Sequence, residues 1–274
     1  MATVNTNPGA LIALQNLNAT NSELSIVQNR LNTGLEVASA KDDGAIYAIA
    51  QNQRADVASL KVVGQSLDRA VSAVDVALAA GEAISDLLVE LKEKALAASD
   101  GSLDTASRAA YNEDFKALRD QITQVLSNAE FNGINLLNNS TTGITALTSA
   151  DGQNTLTVSD EDLRLSGSII TITAGTTIGT QTLASASVSA LETSLNNVNQ
   201  ALARLGTGAK TLEIQATFNV KVSDTIVEGI GNLVDADLAR ESARLQSLQV
   251  KQQLGVQALS IANQAPQTIL ALFR

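Results

Sequence analysis

The side chains that could do chemistry in this sequence are carboxylates, hydroxyls and amines, because its 274 residues include neither histidine nor cysteine. Catalytic triads, thiol nucleophiles and structural zinc sites all depend on one of those two residues. Disulfide bonds are excluded as well. We therefore expect a protein that is not an enzyme and that holds no cofactor and no metal.

Two acidic clusters and one glycine-rich segment are the remaining candidates for a small-ligand site. Asp42-Asp43 and Asp160-Glu161-Asp162 carry the oxygen ligands that hard cations prefer, but helix capping or a solvated loop is the simpler explanation of both. Gly206 to Thr211 contains glycines and a lysine, but it lacks the glycine directly before lysine that a phosphate loop needs. None of the three predicts a ligand.

Net charge and hydropathy exclude two further classes of partner. The formal net charge is −10, whereas a protein that binds nucleic acid needs a basic surface. The apolar stretch from Val71 to Ile84 is interrupted by Asp75 and Glu82 and is too short to span a membrane. The first basic residue is Arg30, so no basic region of a Sec signal peptide opens the chain. We expect neither nucleic acid nor a membrane as a partner.

Hydrophobic periodicity predicts three long helices in the first half of the chain. Aromatic residues make up only 2% of the sequence, so its apolar content suits helix seams. A coiled-coil seam with alternating spacings of four and three runs over residues 10–38. A second helix is predicted over residues 45–99 and a third over 103–129, separated by Ser99-Asp100-Gly101-Ser102. The positions of the first seam are Ala10, Leu14, Leu17, Leu24, Leu31, Leu35 and Ala38.

Residues 140–189 have a different character. Serine and threonine account for 20 of these 50 positions, and the period falls to two. Thr155 to Val158 and Ser168 to Thr173 are the predicted strands of a small antiparallel element. The helical pattern returns from Ser189 to the C-terminus. The predicted fold class is mainly α, with long helical hairpins, a terminal coiled coil and a small inserted β element.

Charge is distributed unequally along the chain. Residues 1–40 carry two acids and one base, residues 235–274 carry three acids and four bases, and residues 100–165 carry ten acids and four bases. The near-neutral ends are suited to packing against copies of themselves. Because an isolated amphipathic helix of this length is only marginally stable, we expect its folding to be coupled to assembly.

Three segments of the sequence resemble bacterial flagellins. Arg30 to Ala50 contains Arg-Leu, Thr-Gly and Ser-Ala-Lys-Asp-Asp, which closely resembles the N-terminal signature of that family. Glu130 to Leu137 resembles the block that ends the third helix in flagellins, and Gln249 to Arg274 resembles their glutamine-rich C-terminal helix and tail. The resemblance covers residues 1–140 and 190–274.

The resemblance implies a structural subunit that polymerises into the extracellular flagellar filament and serves swimming motility. Residues 1–40 plus 235–274 would form an inner coiled-coil domain, residues 41–140 plus 190–234 a helical core domain, and residues 141–189 a short surface insert. The implied partners are further copies of the chain, paralogous flagellins, the type III export apparatus, a secretion chaperone, the filament cap and hook-junction proteins. A hook–filament junction protein or another accessory axial protein is the alternative.

Two sets of residues carry the predicted function. The first set would pack subunits together, and its Asn132-Gly133 turn needs backbone with positive φ. The second set holds candidate O-glycosylation sites in the insert, for which β propensity is an equally good explanation of the threonines. The packing set is Leu14, Leu17, Leu24, Arg30, Leu31, Gly34, Leu35, Lys41, Asp42, Asp43, Phe131, Asn132, Gly133, Asp237, Leu245, Leu248, Gln252, Leu259, Asn263, Ile269 and Phe273. The glycosylation set is Thr171, Thr173, Thr176, Thr177, Thr180 and Thr182.

Overall fold

The computed structural model describes residues 6–271, and describes side chains as far as residue 264. Over that range the chain forms long helices and one small antiparallel sheet, which confirms the predicted mainly α class. The elements in chain order are α1 (Pro8–Thr33), α2 (Gly44–Ala98), α3 (Thr105–Asn128), β1 (Ile144–Leu147), β2 (Thr155–Val158), α4 (Gln181–Val234) and α5 (Leu238–Ala271). No helix in the described range combines the length and apolarity needed to cross a bilayer.

Helix α1 has a capping residue at each end. Asn7 lies before the first turn, where its side chain accepts a hydrogen bond from the Ala10 N–H, and Pro8 occupies the first helical position. Gly34 ends the helix in the left-handed conformation, with φ 72°. The prediction that this helix continues to Ala38 is therefore wrong, because the chain reverses at Gly34.

Helices α2 and α3 agree closely with the predicted segments. The break between them falls at Ser99, as predicted, and α3 begins after Asp104, whose carboxylate accepts hydrogen bonds from the N–H groups of Ala106 and Ser107. Phe115 and Ile122 on the predicted stripe of α3 are fully buried. The helical hairpin is thus confirmed.

The small sheet pairs a predicted strand with an unexpected partner. β2 is the predicted segment Thr155–Val158, but it pairs with Ile144–Leu147 and not with Ser168 to Thr173. The Thr148 N–H donates to the Asn154 carbonyl at 3.0 Å and closes the connecting loop. Ile170 and Ile172 are buried and Thr171 and Thr173 are exposed, as predicted, but Ile169 is buried as well and residues 168–173 form no strand ladder. The prediction of a strand there is wrong, because burial alone produces the alternation of Ile170 and Ile172 with the threonines.

The described chain contains two compact units, residues 6–55 with 225–271 and residues 56–224. The second unit holds one apolar core, which includes Leu67, Leu88 and Phe115 from α2 and α3. Ile170 and Ile178 belong to the same core, so residues of the insert contribute to the core of this unit. Helix α4 begins at Gln181, eight residues before the predicted return of helix at Ser189. The three-part domain division remains a prediction.

Candidate functional site: the paired terminal helices

Helices α1 and α5 pack antiparallel along their length in the first unit. The Asn7 side chain donates from Nδ2 to the Ala262 carbonyl at 2.6 Å, and Gln252 Nε2 donates to Asn21 Oδ1 at 2.8 Å. Near the middle of the pair, a Cβ at Gly255 would lie 3.2 Å from Leu17 Cδ1. The glycine therefore permits the close approach of the two helices.

The inward face of α1 coincides with the predicted seam at Ala10, Leu17, Leu24 and Leu31. Between these positions it lies one residue earlier in the sequence than predicted. Val27 is 1% exposed, whereas Leu14 is 43% exposed. Leu14 is consequently not part of the seam within one chain, and its part in subunit packing stays a prediction. The less exposed positions are Ala10, Ala13, Leu17, Thr20, Leu24, Val27 and Leu31, which alternate by three and four.

Helix α5 presents a matching inward face. Leu248 is 3% exposed, and Leu245, Gln252 and Leu259 are half-buried at spacings of four, three or seven. Asn263 is exposed. The side chain of Ile269 and the whole of Phe273 lie outside the described residues.

An ion pair between the half-buried Arg30 and the buried Glu241 joins the end of α1 to the start of α5. Arg30 Nη1 lies 3.2 Å from Glu241 Oε1 and 3.6 Å from the more exposed Glu36. Arg30 is in the last turn of α1 and Glu241 in the first turn of α5, so each charge also interacts favourably with its helix dipole. Glu241 is 8% exposed, and its Oε2 has no hydrogen-bond partner in the described part of the chain.

Backbone hydrogen bonds connect the two segments that leave this ion pair. The Glu36 N–H donates to the Val234 carbonyl at 2.7 Å, and the Ala236 N–H donates to the Gly34 carbonyl at 2.9 Å. Leu35, predicted as a helical seam position, instead forms an antiparallel bridge with Asp235. These bonds fix the registration of α1 against α5.

The acidic residues around this joint cap helices and turns. Asp42 Oδ2 accepts hydrogen bonds from the Ala38 N–H and from the N–H and hydroxyl of Ser39, at 2.9 to 3.2 Å. Asp43 caps α2 by accepting from the Ala45 and Ile46 N–H groups. Lys41 is exposed beside them. Since these contacts account for both carboxylates, capping explains the Asp42-Asp43 cluster without a cation.

Helix α5 also has an aspartate as its N-cap residue. Asp237 Oδ1 accepts from the Ala239 N–H at 3.0 Å and from the Arg240 N–H at 3.1 Å. The carboxylate stabilises the first turn of α5 directly beside the bridge to α1. No cluster of three acidic side chains arranged for a metal occurs in the described range.

We expect the turn around Asp42 to loosen in acid. Hydrogen bonds from the Ser39 N–H and hydroxyl lower the pKa of the Asp42 carboxyl below its ordinary value of 3.8. A lowered folded-state pKa means that the stabilising contribution is present above pH 3.8 and is lost as the pH falls through the lowered value. The check is an NMR titration of the Asp42 carboxyl carbon. Ser39→Ala should raise the midpoint, and a wild-type midpoint above 3.8 would contradict the assignment.

The second predicted motif forms a tight hairpin after α3. Phe131 and Ile134 exchange backbone hydrogen bonds of 2.9 and 3.0 Å, while Asn132 and Gly133 have φ of 51° and 81°. The prediction of positive φ at Asn-Gly is confirmed. Asn135 is buried and donates from Nδ2 to the Leu126 carbonyl at 2.7 Å, which ties the hairpin to α3.

The predicted glycosylation sites differ in how accessible they are. Thr171, Thr173, Thr180 and Thr182 are exposed, whereas Thr176 and Thr177 are half-buried. The Thr171 hydroxyl lies 3.1 Å from both the Ala190 carbonyl and the Ser194 hydroxyl, and the Thr173 hydroxyl lies 3.1 Å from that of Thr176. Thr180 Oγ1 accepts from the Leu183 N–H at the start of α4.

Sequence reasoning missed two residues at the site. Starting from Ala10, steps of four and then three give the predicted seam, whereas steps of three and then four lead to Val27. Both patterns contain Ala10, Leu17, Leu24 and Leu31, so testing the second pattern as well would have found Val27. Nothing near Glu241 in the sequence indicates its role in an ion pair, since its partner Arg30 lies 211 residues away.

Comparison with known proteins assigns this arrangement to a family. A family profile described as the bacterial flagellin N-terminal helical region matches residues 4–142, and one described as the bacterial flagellin C-terminal helical region matches residues 188–273. The chain belongs to the bacterial flagellin family. Flagellins are the structural subunits of the flagellar filament, and the paired terminal helices described above lie in the two matched regions.

Individual flagellins cover nearly the whole chain. Flagellin FljK of Caulobacter vibrioides is 54% identical over 271 residues, which cover 99% of this chain and 98% of the relative. A flagellin of Brucella melitensis is 38% identical, with complete coverage of both chains. The chain is therefore a flagellin of the alphaproteobacterial type.

Solved structures agree at the level of the fold. The crystal structure of Bacillus cereus flagellin is 21% identical, covers 56% of this chain and 88% of that one, and has a TM-score of 0.50. A structure described as a putative flagellar hook-associated protein from Vibrio parahaemolyticus is 16% identical, covers 71% and 100% of the two chains, and has a TM-score of 0.55. Flagellin and hook-associated folds are thus similar, while the family profiles and the identities above favour flagellin.

Proposed function

We propose that this flagellin assembles by docking its paired terminal helices against those of neighbouring copies. The observation that carries the proposal is the surface left uncovered by the α1–α5 seam. The seam buries one face of each helix, while large apolar side chains remain exposed on other faces of both. They include Leu11, Ile12, Leu14 and Ile26 on α1 and Val250, Leu254, Val256 and Ile261 on α5.

Such a surface is suited to assembly into a helical polymer. Single exposed apolar residues are common, but a set of this size on two paired helices marks an interaction surface. Copies joined through two different faces form an open filament when the rotation does not close a ring. The near-neutral charge of the two chain ends, which would limit repulsion between packed copies, supports the same mechanism.

The proposal extends to export and to the remaining partners. Membership of the family supports passage through the flagellar type III export apparatus, a chaperone for the C-terminal helix, and contacts with the filament cap and hook-junction proteins. It also supports an extracellular location in a filament that contains paralogous flagellins. The protein would have a structural role with no catalytic activity.

Electron microscopy of the purified chain tests the proposal. Monomer mixed with short filament seeds should elongate them into long filaments, because the seed ends offer α1 and α5 faces already in place. Seeds that stay at their initial length would contradict assembly through these helices.

We also propose that exposed threonines of the insert carry O-linked glycans. Thr182, on the first turn of α4, and Thr180 beside it are exposed, as are Thr171 and Thr173, and half-burial disfavours Thr176 and Thr177. Intact-mass measurement of protein from native filaments should give a value above 28.4 kDa in increments of a sugar residue. The same chain from a host without the modifying enzymes is the control, and a native mass of 28.4 kDa would exclude glycans.

A further inference from the structure

A cleft of about 130 Å³ lies beside the Phe131–Ile134 hairpin in the second unit. Its floor includes Ala70 and Ile144, which are buried. Arg69 from α2, Asn132 from the hairpin and Thr145 from β1 line the rim, and all three are exposed. The cleft therefore combines an apolar floor with a cation, an amide and a hydroxyl.

Among the residues that the structure describes, no carboxylate lies within ion-pair distance of Arg69. Within the described part of the chain it takes part in none of the ion pairs, whereas Arg119 and Arg204 of the same unit bind Asp120 and Glu161. A guanidinium can form two parallel hydrogen bonds to one carboxylate. An apolar floor beneath it strengthens such a bond by lowering the local dielectric. The cleft is thus complementary to an acidic side chain.

The charge carried by α2 and α4 differs between the two ends of these helices within the second unit. These helices run antiparallel, because Asn219 Nδ2 donates to the Leu60 carbonyl at 3.0 Å and Lys92 lies 3.5 Å from Glu192. The α2 and α4 residues at the end that contains the cleft, 56–74 and 203–224, include five bases and four acids. The α2 and α4 residues at the opposite end, 75–98 and 181–202, include two bases and six acids.

One copy cannot bring its own acidic end to its own cleft. Arg69 and Glu90 lie on the same helix 21 positions apart, a separation of about 30 Å at 1.5 Å per residue. We propose that the cleft receives a carboxylate side chain from residues 75–98 of a second copy of this chain. This inference rests on the proposed function, since the contact joins different surfaces of two copies and so repeats along a filament.

Three charge variants test the cleft. Arg69→Glu should raise the critical concentration for polymerisation at least about tenfold, because it replaces a charge-assisted hydrogen bond by repulsion. Arg69→Lys retains the charge but cannot form both parallel hydrogen bonds, so its effect should lie between that of wild type and that of Arg69→Glu. Lys210→Glu is the matched control, since Lys210 is an exposed cation of the same unit outside the cleft. An equal effect of Arg69→Glu and Lys210→Glu would assign the effect to net charge and overturn the proposal.

The absence of native cysteine allows a second readout. Thr145→Cys places a single thiol on the rim, and its reaction with a thiol reagent should slow more than about tenfold in filaments relative to monomer. Thr173→Cys, on the exposed insert, should react at similar rates in both states. Equal protection at the two positions would overturn the cleft contact. If wild type forms filaments and Arg69→Glu has the same critical concentration, only the cleft contact is refuted. If wild type itself does not polymerise, the proposed function and the cleft contact are refuted together.

Discussion

A chain that lacks residues 1–40, or one that lacks residues 240–274, will form no filaments. Removing either segment leaves the remaining terminal helix with its inward face exposed, including Val27 and Leu31 on α1 or Leu248 on α5. An unpartnered helix of this length is marginally stable in water, so the assembly surface is lost with its partner. Sedimentation and electron microscopy after seeding measure the effect. Filaments formed by either truncated chain would refute assembly through the paired helices.

Two point variants separate pairing within a chain from contact between chains. Leu17→Asp places a charge against Gly255 and should weaken α1–α5 pairing in the monomer, seen as faster hydrogen exchange of α5 amides. Leu14→Asp changes a side chain that is 43% exposed, so monomer exchange should stay unchanged while polymerisation falls. Equal monomer exchange in both variants would contradict the seam assigned here.

Removing Arg30 will destabilise the paired helices far more than removing an exposed arginine. Arg30→Ala leaves Glu241, only 8% exposed, without its cation, and an uncompensated buried charge costs about 3 kcal/mol. The α1 and α5 amides should then exchange roughly 100-fold faster. Hydrogen exchange of the monomer measures this change, and the critical concentration for polymerisation should rise with it.

The chain offers a matched control and a compensating variant for this prediction. Arg244 lies 3.8 Å from Glu23, and both side chains are more than half exposed, so Arg244→Ala should cost less than about 1 kcal/mol. Adding Glu241→Ala to Arg30→Ala should recover part of the lost stability, because it removes the buried charge. An equal loss of stability in Arg30→Ala and Arg244→Ala would show that the Arg30–Glu241 pair does not stabilise the paired helices more than an exposed ion pair does.

Local patterns in the sequence predicted most of the helical architecture. The Ser99 to Ser102 break and the Asn132-Gly133 turn each depend on neighbouring residues, and the structure confirms both. Gly34 is a helix-stop signal, but the regular spacing of Leu31, Leu35 and Ala38 continues past it and predicts a longer helix. The capping residue Gly34 therefore determines the end of α1, although the hydrophobic periodicity continues beyond it.

The features that sequence reasoning missed depend on distant segments. Strand Ile144–Leu147 pairs with β2 across a loop, and its four residues carry too little alternation to stand out. The Arg30–Glu241 pair and the Phe131 cleft each need elements that are separated along the chain to meet in space. Local periodicity contains no information about such long-range contacts, because tertiary packing determines them.

The hydrogen bond between Thr148 and Asn154 has a practical consequence. It brings the two ends of the β1–β2 loop together at 3.0 Å, and Asp151 to Asn154 between them are exposed. A foreign peptide inserted at Gly152 would begin and end at nearly the same point, so it need not separate the strands. Residues 163–178, by contrast, supply Leu163, Ile170 and Ile178 to the core and leave no room for such a graft. This loop is therefore the place where the protein could display an added epitope.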